Sequence, residues 1–446
     1  VNLDVSAGSD QTPAKPLPDE PFRILLVGDF SGHTHWRPVE VDRDNLDDVM
    51  SALGASALGI GFQRVDDFHP DHLYEELPAF QALRETRRRL LNPKTFHQAA
   101  GELRAAMAPP AKPSAPPPPA AKGGSLLDQM LDDAEPAPVP KQSRGADLQD
   151  FVRQAVESSL VPDDDPELPA LLAAIDETCG KMMRAILHHP DFQATEAAWR
   201  AVQLLTWRLE TGSSLKVYLL DVSKEALLED ISGDVELSRF HELLVERDDE
   251  PWALVAANCS FSWSDADVAV LRRLAGILQA AGAPLLAEAD PQPEPGEQWA
   301  VFRDSPAARW VSLAMPRFLL RLPYGERSSA LESFPFEEMP EEPGHGDYLW
   351  GNPAFALALL MGEAFTEMGW DLRPGAVRAI SDLPIHVYTS NGESVMKPCA
   401  EMWMTEDDAV SLMDEGLVPL VSIRNLGEVR VLRFQSLGGE LAGRWG

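Results

Sequence analysis

The chain has 446 residues, 44% of them hydrophobic, and sets 71 acidic side chains against 38 basic ones for a formal net charge of −33. Such a surplus repels nucleic acid outside any local basic patch, and no apolar run reaches the roughly 18–20 residues that span a bilayer, so neither nucleic acid nor membrane is an expected partner. The three cysteines, Cys179, Cys259 and Cys399, are far apart and outside any C-x-x-C spacing, which disfavours a disulfide framework or zinc ribbon and fits a reducing, cytoplasmic setting.

Residues 1–20 carry neither a basic start nor an apolar stretch and are expected as a disordered tail without a secretory signal. A first module is expected over 21–104. Its opening run, FRILLVGDFSG (22–32), has the continuous apolar character of a buried strand ending at a glycine turn. DRDNLDDVMSAL (42–53) is a helix opened by acidic residues, and IGFQRVDDF (60–68) alternates like a strand. His69-Pro70-Asp71 follows. Pro70 suits a first helical position, and Asp71, Glu75 and Glu76 suit the positive end of the dipole. Leu73, Leu77, Phe80 and Leu83 then predict one helix face. Arg84, Arg87, Arg88 and Arg89 form a small basic cluster, expected to meet the chain's own carboxylates or an acidic neighbour.

Residues 105–146 are rich in proline and alanine and predict an extended linker. Within it, SLLDQMLDD (125–133) is a short amphipathic helix whose Leu126, Leu127, Met130 and Leu131 share an apolar face.

A larger body is expected over 147–436, with 437–446 as a tail. Its first helix must end before Pro190, where a second His-Pro-Asp (189–191) starts a helix with Phe192, Trp199 and Val202 on one face. Strand-like runs at 214–223, 251–261 and 283–291 alternate with helical stretches at 224–248 and 264–282. This rhythm predicts a mixed α/β fold with a partly parallel sheet. Leu322, Pro323, Tyr324 and Gly325 suggest a strand end and turn. Tyr348, Trp350, Gly351 and Asn352 suggest an aromatic anchor entering a buried helix. Asn391-Gly392 and Asn425 to Gly427 predict hairpin turns.

No glycine-rich nucleotide loop, Walker sequence or nucleophile elbow is present, and no cofactor or catalytic residue is assigned. The repeated His-Pro-Asp admits three readings: a metal site, a chaperone-docking loop, or helix punctuation. His69, Asp71 and His72 have metal-binding atoms at crowded spacing, and His33 and His35 form an i,i+2 pair. Together these five residues define the alternative function, a metal-dependent hydrolase. Punctuation is the preferred reading.

The ordered motifs resemble the contractile sheath of the type VI secretion system. Residues 22–91 resemble its small subunit, through the turn at Asp29, Ser31 and Gly32, the segment Asp42-Arg43-Asp44-Asn45, and Pro70-Asp71. Residues 147–436 resemble its large subunit, through His189, Pro190 and Trp199, the run Arg321, Pro323, Tyr324 and Gly325, and Trp350-Gly351-Asn352.

The resemblance implies a structural, non-enzymatic protein that fuses two subunits found elsewhere as a heterodimer, or a sheath-like accessory. Implied partners are other sheath or baseplate subunits, the inner tube protein, and an AAA+ unfoldase reading helix 125–133. The family's strand-exchange extensions are not matched, so a monomer or small oligomer is expected in isolation, joining larger assemblies through a partner.

Overall fold

A computed structural model describes residues 16–92, 94–107, 168–246, 251–290 and 295–445. The proposed linker from 108 onward, its helix with Leu126, Leu127, Met130 and Leu131, and the expected start of the body at 147 lie outside these residues.

The described chain forms two compact units, one built from residues up to Leu73 together with 186–446, the other from Tyr74–Ala185. The first is organised around a mixed nine-stranded sheet, whose strands we number in chain order: β1 (Phe22–Gly28), β2 (His35–Val41), β3 (Leu215–Asp221), β4 (Leu254–Ser262), β5 (Leu285–Asp290), β6 (Val311–Met315), β7 (Ala379–Ile380), β8 (Val418–Ser422) and β9 (Val429–Val431). Their order across the sheet is β7-β9-β8-β6-β5-β4-β1-β3-β2. The run from β8 through β3 is parallel, while β2, β9 and β7 pair antiparallel.

β1 occupies an interior position. All seven of its residues pair with β3, from Phe22 opposite Leu215 to Gly28 opposite Asp221. On the other side, Ile24–Val27 pair with β4. Every residue of β1 is buried, as a strand covered on both faces requires. The N-terminal segment, expected to form a module of its own, therefore shares one hydrogen-bonded sheet with the body. Arg23 is the charged residue in this strand. Its guanidinium lies over the rings of Trp252 and Tyr218, at 3.9 and 4.8 Å from their centroids.

We number helices of seven or more residues: α1 (Leu46–Leu53), α2 (Pro70–Glu76), α3 (Pro78–Leu91), α4 (Phe96–Met107), α5 (Leu168–Leu187), α6 (Pro190–Arg208), α7 (Lys224–Asp230), α8 (Asp265–Ala281), α9 (Glu297–Arg303), α10 (Pro353–Met368) and α11 (Glu406–Asp414). On one sheet face Leu25, Val27, Val255 and Leu285 join Leu271, Leu274 and Leu278 of α8 and Trp299 of α9 in a single apolar core. Alternation sends Phe22, Ile24 and Leu26 to the opposite face. There Phe22 stacks on Phe365 of α10 with centroids 4.6 Å apart. Twelve residues of α10 are buried. It packs on β4, β5, β6 and α6, so its apolar character reflects a central helix. Among the described residues no helix is long and apolar enough to cross a membrane.

The second unit has its own ion pairs. Arg87 Nε lies 2.8 Å from Asp176 Oδ1, and Arg89 grips Glu102 with two hydrogen bonds of 2.6 and 3.0 Å. Arg87, Arg88 and Arg89 of the basic cluster thus meet the chain's own carboxylates, while Arg84 bonds to the Tyr74 carbonyl.

Several expectations need correction. Residues 60–68 form only a two-residue strand and then a 3-10 turn, because the Asp67 carboxylate accepts from the backbone N–H groups of Gln63 and Arg64 and curls the chain. The helix expected through Leu73, Leu77, Phe80 and Leu83 is two helices. Pro78 starts α3, and Leu77 before it is held extended with ψ 127°.

Helix α4 runs through Met107, past the expected linker start at 105. Its Ala and Leu residues favour helix. The stretch 224–248 breaks after α7. Asp234 and Ser238 accept from the N–H groups of Glu236 and His241 and start new short turns. Finally, 437–445 is packed. Leu437 and Leu441 are buried, and Leu437 N–H donates to the Val311 carbonyl at 2.9 Å.

Candidate functional site

The two His-Pro-Asp tripeptides share one local geometry. His69 and His189 are both extended (φ −66°, ψ 136° and φ −70°, ψ 131°), and each is followed by proline at the first position of its helix. In each, the imidazole Nδ1 accepts from the aspartate N–H two residues on, at 3.2 and 3.3 Å. The histidine side chain caps a helix start whose N–H groups lack partners within the helix.

Their surroundings differ. Asp71 reaches across the fold to accept from the N–H groups of Glu332 and Ser333, at 3.0 and 3.1 Å, and from the Ser333 hydroxyl. Burial raises the carboxyl's pKa, but these bonds outweigh it, and the net shift is downward. The ring of His69 stands edge-on to Tyr324 at 5.0 Å.

Tyr324 opens onto a buried ion network. Glu196 of α6 is fully buried and accepts from Arg200 Nε one turn later, at 2.7 Å, and from Arg321 Nε at 2.8 Å. Arg321 also binds Glu338 through Nη1 and Nη2, at 2.7 and 3.0 Å. Glu338 accepts in turn from the Tyr324 N–H at 2.7 Å, and the Tyr324 hydroxyl meets Arg200 Nη2 at 2.9 Å. His188 lies between Glu338 and Asp347 at 3.5 Å from each.

Burial alone pushes the Glu338 carboxyl upward. The Arg321 guanidinium beside it wins, and Glu338 is held down at about 2. The same carboxylates keep the Arg321 guanidinium charged despite burial, well above its ordinary range. This arrangement is a cross-brace between α6, the turn at 321–325 and the strap around 338, with its charges satisfied internally.

The remaining motif residues also brace backbone. Asp29 accepts from Gly32 N–H at 2.6 Å in a turn where Gly32 has φ 79°, a conformation glycine adopts at little cost. Buried Ser31 donates to Asp221 at the end of β3, which also accepts from the Phe30 N–H at 2.8 Å. Trp199 Nε1 donates to the Phe30 carbonyl at 2.8 Å and ties the turn after β1 to α6. Asp42 accepts from the Asp44 and Asn45 N–H groups at 2.9 Å, closing the turn from β2 into α1. Arg43 lies over the exposed ring of Trp207 at 5.2 Å.

Gly325 N–H bonds to the Ser329 carbonyl, and a Cβ at Gly325 would meet the Glu337 carboxylate at 2.2 Å. Trp350 donates to the His345 carbonyl at 3.1 Å. Gly351 lets Leu320 approach to 2.8 Å of where a Cβ would stand, and Asn352 caps α10 through the Ala354 N–H. Pro323 precedes Tyr324 and is buried.

The alternative constellation is not assembled into one centre. His33 and His35 are exposed with rings 6.4 Å apart, Asp71 is committed to the 332–333 backbone, and His72 lies 3.6 Å from Asp67. The thiols are free, and burial pushes those of Cys179 and Cys259 up to about 12, far from thiolate chemistry at neutral pH.

Sequence reading missed Glu196, Arg200, Glu338 and Asp221. One signal was available. Glu196 lies four residues after Phe192 and three before Trp199, a carboxylate on an apolar helix stripe.

Comparison with known proteins bears on this framework. The family VipB, described as "EvpB/VC_A0108, tail sheath N-terminal domain", matches residues 169–293 and 295–437. A relative from Pseudomonas aeruginosa, named type VI secretion system sheath protein TssC1, is 29% identical over 317 residues, covering 63% of this chain and 64% of its own length.

Proposed function

We propose, from the premise that this chain belongs to the VipB tail sheath family, that it is a building block of a type VI contractile sheath that carries a small-subunit-like part and a large-subunit-like part on one polypeptide. The family is structural, and the chain is a sheath protein rather than an enzyme.

One observation carries the two-part reading. The matched segment supplies β3 through β9, whereas β1 and β2 lie outside it. Yet β1 stands between β3 and β4. Without residues 22–28, two rows of N–H and C=O groups in the middle of the sheet would lose their partners, a cost no compact fold sustains. A strand filling that place must come either from a second protein or from the same chain. Covalent attachment makes the encounter intramolecular, at an effective concentration on the order of millimolar.

Its proposed partners are other sheath and baseplate subunits and the inner tube protein, in the cytoplasm. Segment 125–133, outside the described residues, is proposed as a stretch read by an AAA+ unfoldase. The test is electron microscopy of the purified chain, alone and after co-expression with separately encoded sheath subunits. Incorporation along tubes supports the protomer role, and incorporation confined to tube ends supports the accessory role. Failure to co-purify with any sheath or baseplate subunit defeats the proposal.

A further inference from the structure

Away from the ion network, the first unit holds a cleft of about 1070 Å³. That is at the upper limit of small-molecule pockets, which run to about 1,000 Å³. Three arginines line it: Arg309 just before β6, Arg373 in the turn after α10, and Arg433 just after β9. All three are exposed. Arg309 Nε reaches the main-chain carbonyl of Glu440 at 3.5 Å, and among the described residues no carboxylate pairs with any of the three. Glu440 supplies the one carboxylate in the lining. Phe434 and Trp445, each 9% exposed, add apolar wall.

In a chain with 71 acidic and 38 basic residues, three guanidinium groups from distant segments that line one cleft without a carboxylate partner among the described residues run against the overall charge. Guanidinium is the side chain best matched to carboxylate, through paired N–H donors.

We propose that this cleft docks a peptide segment of a partner protein that alternates acidic and apolar residues. Carboxylates pair with Arg309, Arg373 and Arg433 while apolar side chains cover Phe434 and Trp445. A peptide fits better than nucleic acid. Nucleic acid carries one charge per nucleotide, which a chain of net charge −33 repels more strongly than a few carboxylates spaced by apolar residues, and it has no apolar side chain to set against the aromatic wall. The proposal stands on the cleft alone and is independent of the sheath reading.

The test is fluorescence anisotropy on the full chain with a labelled peptide of alternating glutamate and leucine. A glutamine-for-glutamate version and a single-stranded oligonucleotide of equal charge serve as competitors. Saturable binding is expected, weakened about tenfold or more in the variant Arg373→Glu/Arg433→Glu and weakened by salt over roughly 50 to 300 mM. Both positions are exposed, so the variant should keep the parent's circular dichroism and melting temperature. Absence of saturation by about 1 mM peptide, undiminished binding by the double variant, equal binding of the glutamine peptide, or stronger competition by the oligonucleotide would overturn it.

Discussion

Arg321 and Glu338 face each other at 2.7 Å with side chains only 9% and 1% exposed, and both are charged in the folded protein. Removing one partner of such a pair strands a buried charge, which typically costs about 3–5 kcal/mol. Glu338→Ala and Arg321→Ala should each lower stability by about that much in urea unfolding, and Glu338→Gln by less because its amide oxygen still accepts. Replacing both by apolar residues of similar volume should recover part of the loss: the pair's own desolvation cost disappears, while Glu196 keeps only Arg200 and the Tyr324 N–H loses its acceptor. A double variant less stable than either single one would contradict this.

The two His-Pro-Asp tripeptides should respond differently. Asp71→Ala removes the acceptor for two backbone N–H groups and a hydroxyl some 260 residues away in sequence. It should cost about 1–3 kcal/mol and speed amide exchange at Glu332 and Ser333. Asp191→Ala loses mainly a favourable helix-dipole charge, about 0.3–1 kcal/mol. Amide exchange at 332–333 unchanged by Asp71→Ala would show the long-range contact to be unimportant.

Acid and neutral pH should act on separate groups. Glu338 and Asp71 have depressed pKa values in the fold. Their contribution is present above the unfolded carboxyl range and is lost as pH falls through the folded values, for Glu338 from 4.5 toward about 2.

Glu288 behaves in the opposite sense. Burial pushes it up to about 7, against the pull of Arg317 and with the help of Glu401 and Asp290. Its contribution is complete below 4.5 and disappears as pH rises through 7. Glu288→Gln should therefore remove a decline in stability between these values and make the protein more stable at pH 8. An unchanged pH profile in Glu288→Gln would refute the assignment.

Protease nicking within 108–124 should leave the two fragments associated. All seven residues of β1 pair with β3 and four pair with β4, so the strand is held on both sides. Size-exclusion chromatography at micromolar concentration should give co-elution. Separate elution of native fragments would show that β1 leaves the sheet readily.

Several local elements were legible in the sequence. The apolar run 22–28 required a buried strand. The two His-Pro-Asp tripeptides required helix starts, because proline fixes φ and removes a donor where the helix needs none. The glycine turn at 391–392 and the loop at 425–427 required hairpins, realised as two antiparallel pairs. The strand and helix periods through 214–291 required a parallel α/β layer. Pro78 was equally legible as a break between α2 and α3, but the apolar stripe running through it obscured that.

Tertiary structure alone decided the rest. Nothing in the spacing of residues 22–28 says that their neighbours are 215–221 on one side and 254–257 on the other. Backbone N–H and C=O groups are the same at every position, so sequence specifies that a strand needs partners without naming them. The meeting of Glu196, Arg321 and Glu338 has the same origin. Each charge read alone suits a solvated surface, and only packing of α6 against the 321–338 segment takes all three out of water. The turn at 65–68 was decided likewise, when a carboxylate that bonds to backbone outweighed the strand period written into the side chains.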